Sequence, residues 1–379
     1  MNKLKVFTLY IYMIPTFISL LIIFNNGYLL GDFRNYLYSA SFFDIAQVFF
    51  LYSCMLLVIY LFIISGSRIH FFSEKNKQFE KYSLLVFCFI LFITLAFGAV
   101  KIGQPVEGGL TGLMIKLASK FNPLLLVLII SYSNISVRKF AFCILVTLIY
   151  GFKQQSLQGY LISFIAVMIY ALKAKEIKSF YFYFLLLSPI IFGKWVLDFV
   201  TWIYTLRNEL RGVEFDTNEI LSLAVGRISS ISSYIYLTEN HFSYNKISEY
   251  FSHSIFISRI IGVQMGGGVS PSDIFNQELL GGNAGYSIFL GLLGMLDMLI
   301  KGDILVAANN VIFLLMMLFI SFQMIPYFNK KERVLMFFSV FYLPFLSSDI
   351  WEWSILLQSL IVIQLGYLIF DFCSKGLRR

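Results

Sequence analysis

The chain has 379 residues, of which 59% are hydrophobic and only 13% charged, with a formal net charge of +8. Globular domains carry about a quarter charged residues, and a protein of this length in water cannot hide so much apolar surface. The composition excludes a soluble fold and predicts an all-α, polytopic integral membrane protein, because helices satisfy their own backbone in hydrocarbon.

The apolar runs predict helices at about 6–24, 45–65, 83–100, 121–133, 140–152, 158–172, 179–199, 304–325, 334–347 and 354–372. Together they form a single transmembrane domain over 1–379, interrupted by a large polar segment at 200–303 between the seventh and eighth helices. The first run follows Lys3 and Lys5 and has no small-residue cleavage site before Asn25, so it reads as a retained helix. The stretch 100–121 reads as an amphipathic or re-entrant piece, since Lys116 and Lys120 argue against a plain span.

Charge orders these helices. Arg68, Lys75, Lys77 and Lys81 fall after the second helix, and Arg138 and Lys139 after the fourth. Lys173, Lys175 and Lys178 follow the sixth, Lys330, Lys331 and Arg333 the eighth, and Lys375, Arg378 and Arg379 the tenth. Every second connection is therefore the basic one, which predicts that both termini are cytoplasmic. The same bias explains the net charge without a nucleic-acid partner. The abundance of Phe (42) and Tyr (23) suits lipid-facing and interfacial positions.

Within the predicted spans the ionisable residues are few. Lys194 and Asp198, four apart near the outer end of the seventh helix, share a helix face and read as a self-neutralised pair. Cys54, Cys88, Cys143 and Cys373 have no metal-ligand spacing, so neither disulfides nor zinc are expected. His70, His241 and His253 stand far from any nucleophile-triad pattern. No cofactor or metal is implied.

The polar chemistry lies in the exported segment 200–303. Arg207, Arg211, Arg227 and Arg259 run against the topogenic bias there, so something other than orientation should account for them. Arginine grips phosphate with paired hydrogen bonds, which makes a lipid pyrophosphate a natural partner. Arg227 stands out because Leu221, Leu223, Ala224 and Val225 make its surroundings apolar. Asn218 to Tyr236 reads as an amphipathic helix. Gly266 to Pro271 reads as a turn, and the run Ser287 to Ile300, at about fourteen residues, is too short to span and reads as re-entrant.

The architecture resembles that of the bacterial O-antigen and capsule repeat-unit polymerases (Wzy-type). The shared features are ten or so helices, cytoplasmic termini, a tight mid-chain hairpin and a large periplasmic loop in the second half. Two local stretches carry the likeness. Ala224-Val225-Gly226-Arg227-Ile228-Ser229 is similar to the family's arginine-bearing loop helix, and Gly285 to Gly294 to the glycine-marked aromatic run after it. The hairpin turn Lys153-Gln154-Gln155-Ser156 departs from the Gly/Arg/Ser turn of relatives.

The resemblance implies an inner-membrane glycosyltransferase that needs no cofactor. It would move a growing glycan from undecaprenyl pyrophosphate onto the non-reducing sugar of an incoming lipid-linked unit at the periplasmic face. Its partners would be membrane lipids, undecaprenyl-pyrophosphate-linked oligosaccharides, a chain-length regulator and a flippase. Under that implication Arg227 leads as the catalytic cation, and Arg211, Arg207 and Arg259 hold pyrophosphate. Glu239 is the candidate base, with Glu214 and Asp216 competing. Three alternatives stand beside it. An O-antigen ligase fits His241-Phe242 and His253-Ser254 poorly. A flippase or other transporter should carry charges within its helices. A polyprenyl-phosphosugar glycosyltransferase should pair acids in its first exported loop, where Asp32 stands without an acidic neighbour and Asp44 comes only at the end.

Overall fold

The computed structural model describes residues 2–33, 36–69, 71, 74–75, 77–100, 108–174, 179–191, 193–209, 222, 225–226, 229–239, 260, 292–294, 304–347 and 350–376. Its helices in chain order are α1 (Asn2–Asn26), α2 (Phe42–Gly66), α3 (Lys77–Ala96), α4 (Gly109–Lys120), α5 (Pro123–Ser131), α6 (Val137–Gln154) and α7 (Leu157–Ala174). They continue as α8 (Ser179–Ile191), α9 (Gly193–Glu209), α10 (Ile231–Glu239), α11 (Ile304–Met324), α12 (Arg333–Val340), α13 (Tyr342–Ser347) and α14 (Ile350–Gly376). No strand occurs among the described residues; one antiparallel bridge joins Tyr28 and Leu37.

Six stretches of the described residues are long and apolar enough to cross a membrane: Lys3–Asn26, Phe42–Gly66, Lys77–Ala96, Gly109–Ser131, Ala307–Met324 and Glu352–Lys375. The outward faces are apolar as well. On α14, Leu365, Leu368, Ile369 and Phe372 repeat at helical spacing and are 50–80% exposed, while Leu360, Ile363 and Gln364 on the other face are buried. A surface of that kind is stable against hydrocarbon and not against water. The chain is a helical, membrane-embedded protein.

Local chemistry accounts for the helix boundaries. The described parts of the 179–199 run are α8 and α9, on either side of residue 192. The 334–347 run becomes α12 and α13, because Pro344 cannot bond to Val340 and Phe341 leaves the helical region. The boundary between the expected 100–121 piece and the 121–133 helix falls inside the span Gly109–Ser131. Asn122 sits at φ 40 before Pro123, and its side chain caps Leu125 N at 3.2 Å, so α4 ends and α5 begins anew.

The mid-chain hairpin is tight, as expected. Gln155 closes α6 in the left-handed region at φ 56, and Ser156 N bonds to Gly151 O at 3.1 Å. A Cβ on Gly159 would lie 2.8 Å from Gly151 Cα, so the two helices meet backbone to backbone. Small residues permit that approach where hydrophobic driving force is absent.

The basic connections converge at one end of the bundle. Arg333 is 1% exposed. Its guanidinium bonds to Phe322 O at 2.9 Å, Gln323 Oε1 at 3.1 Å and Ile69 O at 3.3 Å. The same group lies over the rings of Phe322 and Tyr327, 4.3 and 4.7 Å from their centroids. Lys75 N bonds to Tyr327 O, and its ammonium sits 4.6 Å from the Tyr367 ring centre. Lys173 donates to Tyr132 O and pairs with Glu332 at 3.2 Å, and Gln78 bonds to Ser374. Residues from five separate segments thus knit together where the alternating charge pattern requires them to meet.

Candidate functional site

At the opposite end, residues 27–41 connect α1 to α2. Gly27 and Gly31 adopt positive φ, and Leu29 N bonds to Tyr36 O and Tyr38 N to Gly27 O. This folded-back loop is the dock for described parts of the 200–303 segment. Leu30 N donates to Ser232 Oγ at 2.8 Å. Phe33 stacks on Tyr236 at 4.4 Å, and Tyr36 meets the same ring edge-on at 4.8 Å. Gly226 is pressed against the loop so closely that a Cβ there would stand 2.5 Å from Gly31 Cα and 2.7 Å from the Leu30 carbonyl carbon. Only glycine fits, because the obstacle is backbone.

The expected helix over Asn218 to Tyr236 is interrupted. The chain is helical at Ser222, Val225, Gly226 and Ser229, then turns at Ser230, whose φ is 54, before α10 carries it to Glu239. Ser230 Oγ donates to Ser229 O at 2.6 Å, an instance of serine competing with the helical ladder. The residues Ser229, Ser230, Ser232 and Ser233 are all buried here.

Of the five candidate residues, Glu239 has a described side chain. It closes α10, is exposed, and lies near Tyr38. Burial raises the Tyr38 phenol above its usual range, and the negative charges of Asp44 and Glu239 raise it further. Arg207 stands in the last turn of α9, a helix that lies against the mid-chain hairpin through Phe152–Trp202 and Tyr160–Phe199 ring contacts. Arg211, Arg227 and Arg259 lie outside the described residues, as do Glu214, Asp216, His241, His253 and the run Ser287 to Ile300 apart from residues 292–294. Their sequence neighbours are placed: Gly226, beside Arg227, is locked onto Gly31, and Ile260, beside Arg259, receives a hydrogen bond from Gln358 Nε2 at 3.1 Å. Lys194 and Asp198 are exposed on α9, with no ion pair between them among the described residues.

Two features escaped sequence reasoning. Tyr38, Tyr236 and Asp44 belong to the dock, although only the aromatic richness of the loop hinted at it. Lys120 donates to Gln358 Oε1 on α14, the same amide that holds Ile260. Its signal was visible as a lysine in an apolar run, but its partner lies 238 residues away. Among the described residues no three His, Cys, Asp or Glu side chains gather as a metal site would require.

The class that fold and surface define is a helical membrane protein. No family model, curated protein or solved structure matches the chain.

Proposed function

We propose that the chain is a polymerase of lipid-linked oligosaccharide repeat units in the bacterial inner membrane, a glycosyltransferase with an undecaprenyl-pyrophosphate donor. In this reading both termini are cytoplasmic, about ten helices cross the bilayer, and residues 200–303 work at the periplasmic face. The observation that carries it is the dock. Gly226 and α10 are fastened to the first exported loop at the end away from the basic connections. In this reading, that end of the bundle is the membrane surface at which lipid-linked sugars present their pyrophosphate, with Gly226, the neighbour of Arg227, and Glu239 held there.

The chemistry asked of such a site is modest. The pyrophosphate is already a good leaving group, so cations over it and a base near the acceptor hydroxyl suffice. Arg227, Arg211, Arg207 and Arg259 supply the cations. Glu239 is the base.

The test is reconstitution. Purified protein in proteoliposomes should convert an undecaprenyl-pyrophosphate-linked repeat unit into a ladder of lipid-linked multimers with release of undecaprenyl pyrophosphate. Failure to form any dimer, in protein that is folded and correctly inserted, overturns the reading. The break within the span Gly109–Ser131 favours a second reading, a lipid-linked oligosaccharide transporter, since broken helices mark transporter sites. Translocation of the labelled unit across the same liposomes without polymerisation would select it.

A further inference from the structure

The break between α4 and α5 leaves Lys120 as the last residue of the upper half-helix. Its depth follows from its neighbours. Gln358 is six residues inside the Glu352 end of its span, which at about 1.5 Å per residue is on the order of 9 Å. Phe121, next to Lys120, meets the ring of Phe89, seven residues before the end of α3, or about 10 Å by the same rise. Both place the ammonium about a third of the way through a bilayer about 30 Å thick, counted from the end that carries the dock.

Ionisable side chains at such depth are rare, and the general expectation for one is function. Its setting is built. Gln358 turns its Oε1 to the ammonium while its Nε2 is held by Ile260 O, so the amide orientation is fixed from two sides. Three elements meet there: the broken span, α14 and the exported segment at Ile260, the residue after Arg259. Leu113 and Leu117 share the α4 face of Lys120 by helical spacing and are 62% and 45% exposed, an apolar rail running up to the charge.

We propose that Lys120, oriented by Gln358, binds the phosphate of a phosphorylated polyprenyl lipid, whose isoprenoid chain covers the Leu113–Leu117 face. This rests on the reading of the chain as acting on lipid-linked sugars and adds to it a binding residue inside the membrane, away from the arginine-bearing loop. Lysine suits the role as a compact point charge on a flexible stem that follows a headgroup as it enters and leaves.

The experiment measures binding of undecaprenyl pyrophosphate to the purified chain in phosphatidylcholine nanodiscs, with undecaprenol and inorganic pyrophosphate as comparison probes. Wild type should bind the lipid pyrophosphate well over tenfold tighter than undecaprenol, with Lys120 and the loop arginines both contributing. Lys120→Met should lower that preference about tenfold, the worth of one charge-assisted contact, and Lys120→Arg should keep most of it. Gln358→Glu reads the same point if Lys120→Met does not fold, because the new carboxylate competes with phosphate for the ammonium; it too should lower the preference. Undiminished preference in folded Lys120→Met or Gln358→Glu overturns the Lys120 assignment and leaves the polymerase reading standing. Absence of any preference in wild type overturns both. Competition by inorganic pyrophosphate at equal concentration would assign the site to a free anion and overturn the lipid assignment.

Discussion

Replacing Arg333 by Met tests how the basic end is held. The side chain is buried, and its guanidinium satisfies Phe322 O, Gln323 Oε1 and Ile69 O while lying over two rings. Hydrogen bonds to a charged donor contribute about 1.5–3 kcal/mol each, and the acceptors left behind would be buried without a partner. Methionine refills most of the apolar stem. Taking the two shorter bonds as the main loss gives a destabilisation of about 4 kcal/mol. For 379 residues at about 2.1 cal/mol/K per residue, the unfolding entropy is about 0.8 kcal/mol/K, so Tm should fall by about 5 °C. Arg333→Lys keeps the charge but loses the fork and should fall by about half as much. Lys330→Ala, at an exposed position three residues earlier, should leave Tm unchanged. The assay is thermal unfolding of detergent-purified protein, followed by loss of the monodisperse chromatographic peak. Equal Tm values for wild type and Arg333→Met would refute the claim that this guanidinium ties the ends of α2 and α11 together.

Gly226→Ala should destabilise by about 1–3 kcal/mol, because its Cβ meets the Gly31 backbone, whereas Gly108→Ala faces open space and should be neutral; thermal unfolding distinguishes them. Gly159→Leu should likewise lower Tm by forcing α7 off α6, since the obstructing atom is Gly151 Cα. Lys75 lies outside the spans, and its burial lowers its pKa from 10.5 to about 8, more than the nearby Asp371 carboxylate raises it. The unfolded chain therefore binds more protons between pH 8 and 10.5, so stability rises with pH across that window, and the burial penalty is fully present below it. A Lys75→Met variant should lose this rise, read as the difference in Tm against pH between the two proteins. Glu239→Gln should abolish polymerisation in the reconstituted assay while leaving Tm unchanged, since the carboxylate is exposed.

The sequence made the long spans plain because α1, α2, α11 and α14 are uninterrupted apolar runs flanked by charge. It also announced the tight hairpin through Lys153 to Ser156 between two such runs. The breaks were harder. Pro123 opens α5 where the sequence already separates two pieces, but Pro344 lies inside the apolar run 334–347, and an apolar window averages across the break at Phe341 that it imposes. The site was legible in residue type only. The arginines of 200–303 and Glu239 can be singled out from chemistry, but the dock depends on contacts such as Leu30 with Ser232, 202 positions apart, and Gln358 with Ile260, 98 apart. Gly226 could be quoted as part of a motif without revealing that Gly31 is the reason it must be glycine. No periodicity encodes such pairings.

The measurement that bears most directly on the central claim is a surface-polysaccharide gel from a bacterial strain deleted for this gene and complemented with wild type or Arg227→Ala. The account predicts lipid A-core carrying a single repeat unit in the deletion strain, a ladder restored by wild type, and no ladder with Arg227→Ala. Loss of every repeat unit from the core would contradict it, pointing to a flippase or an earlier glycosyltransferase, or to a ligase if full-length polymer is found still on its lipid carrier.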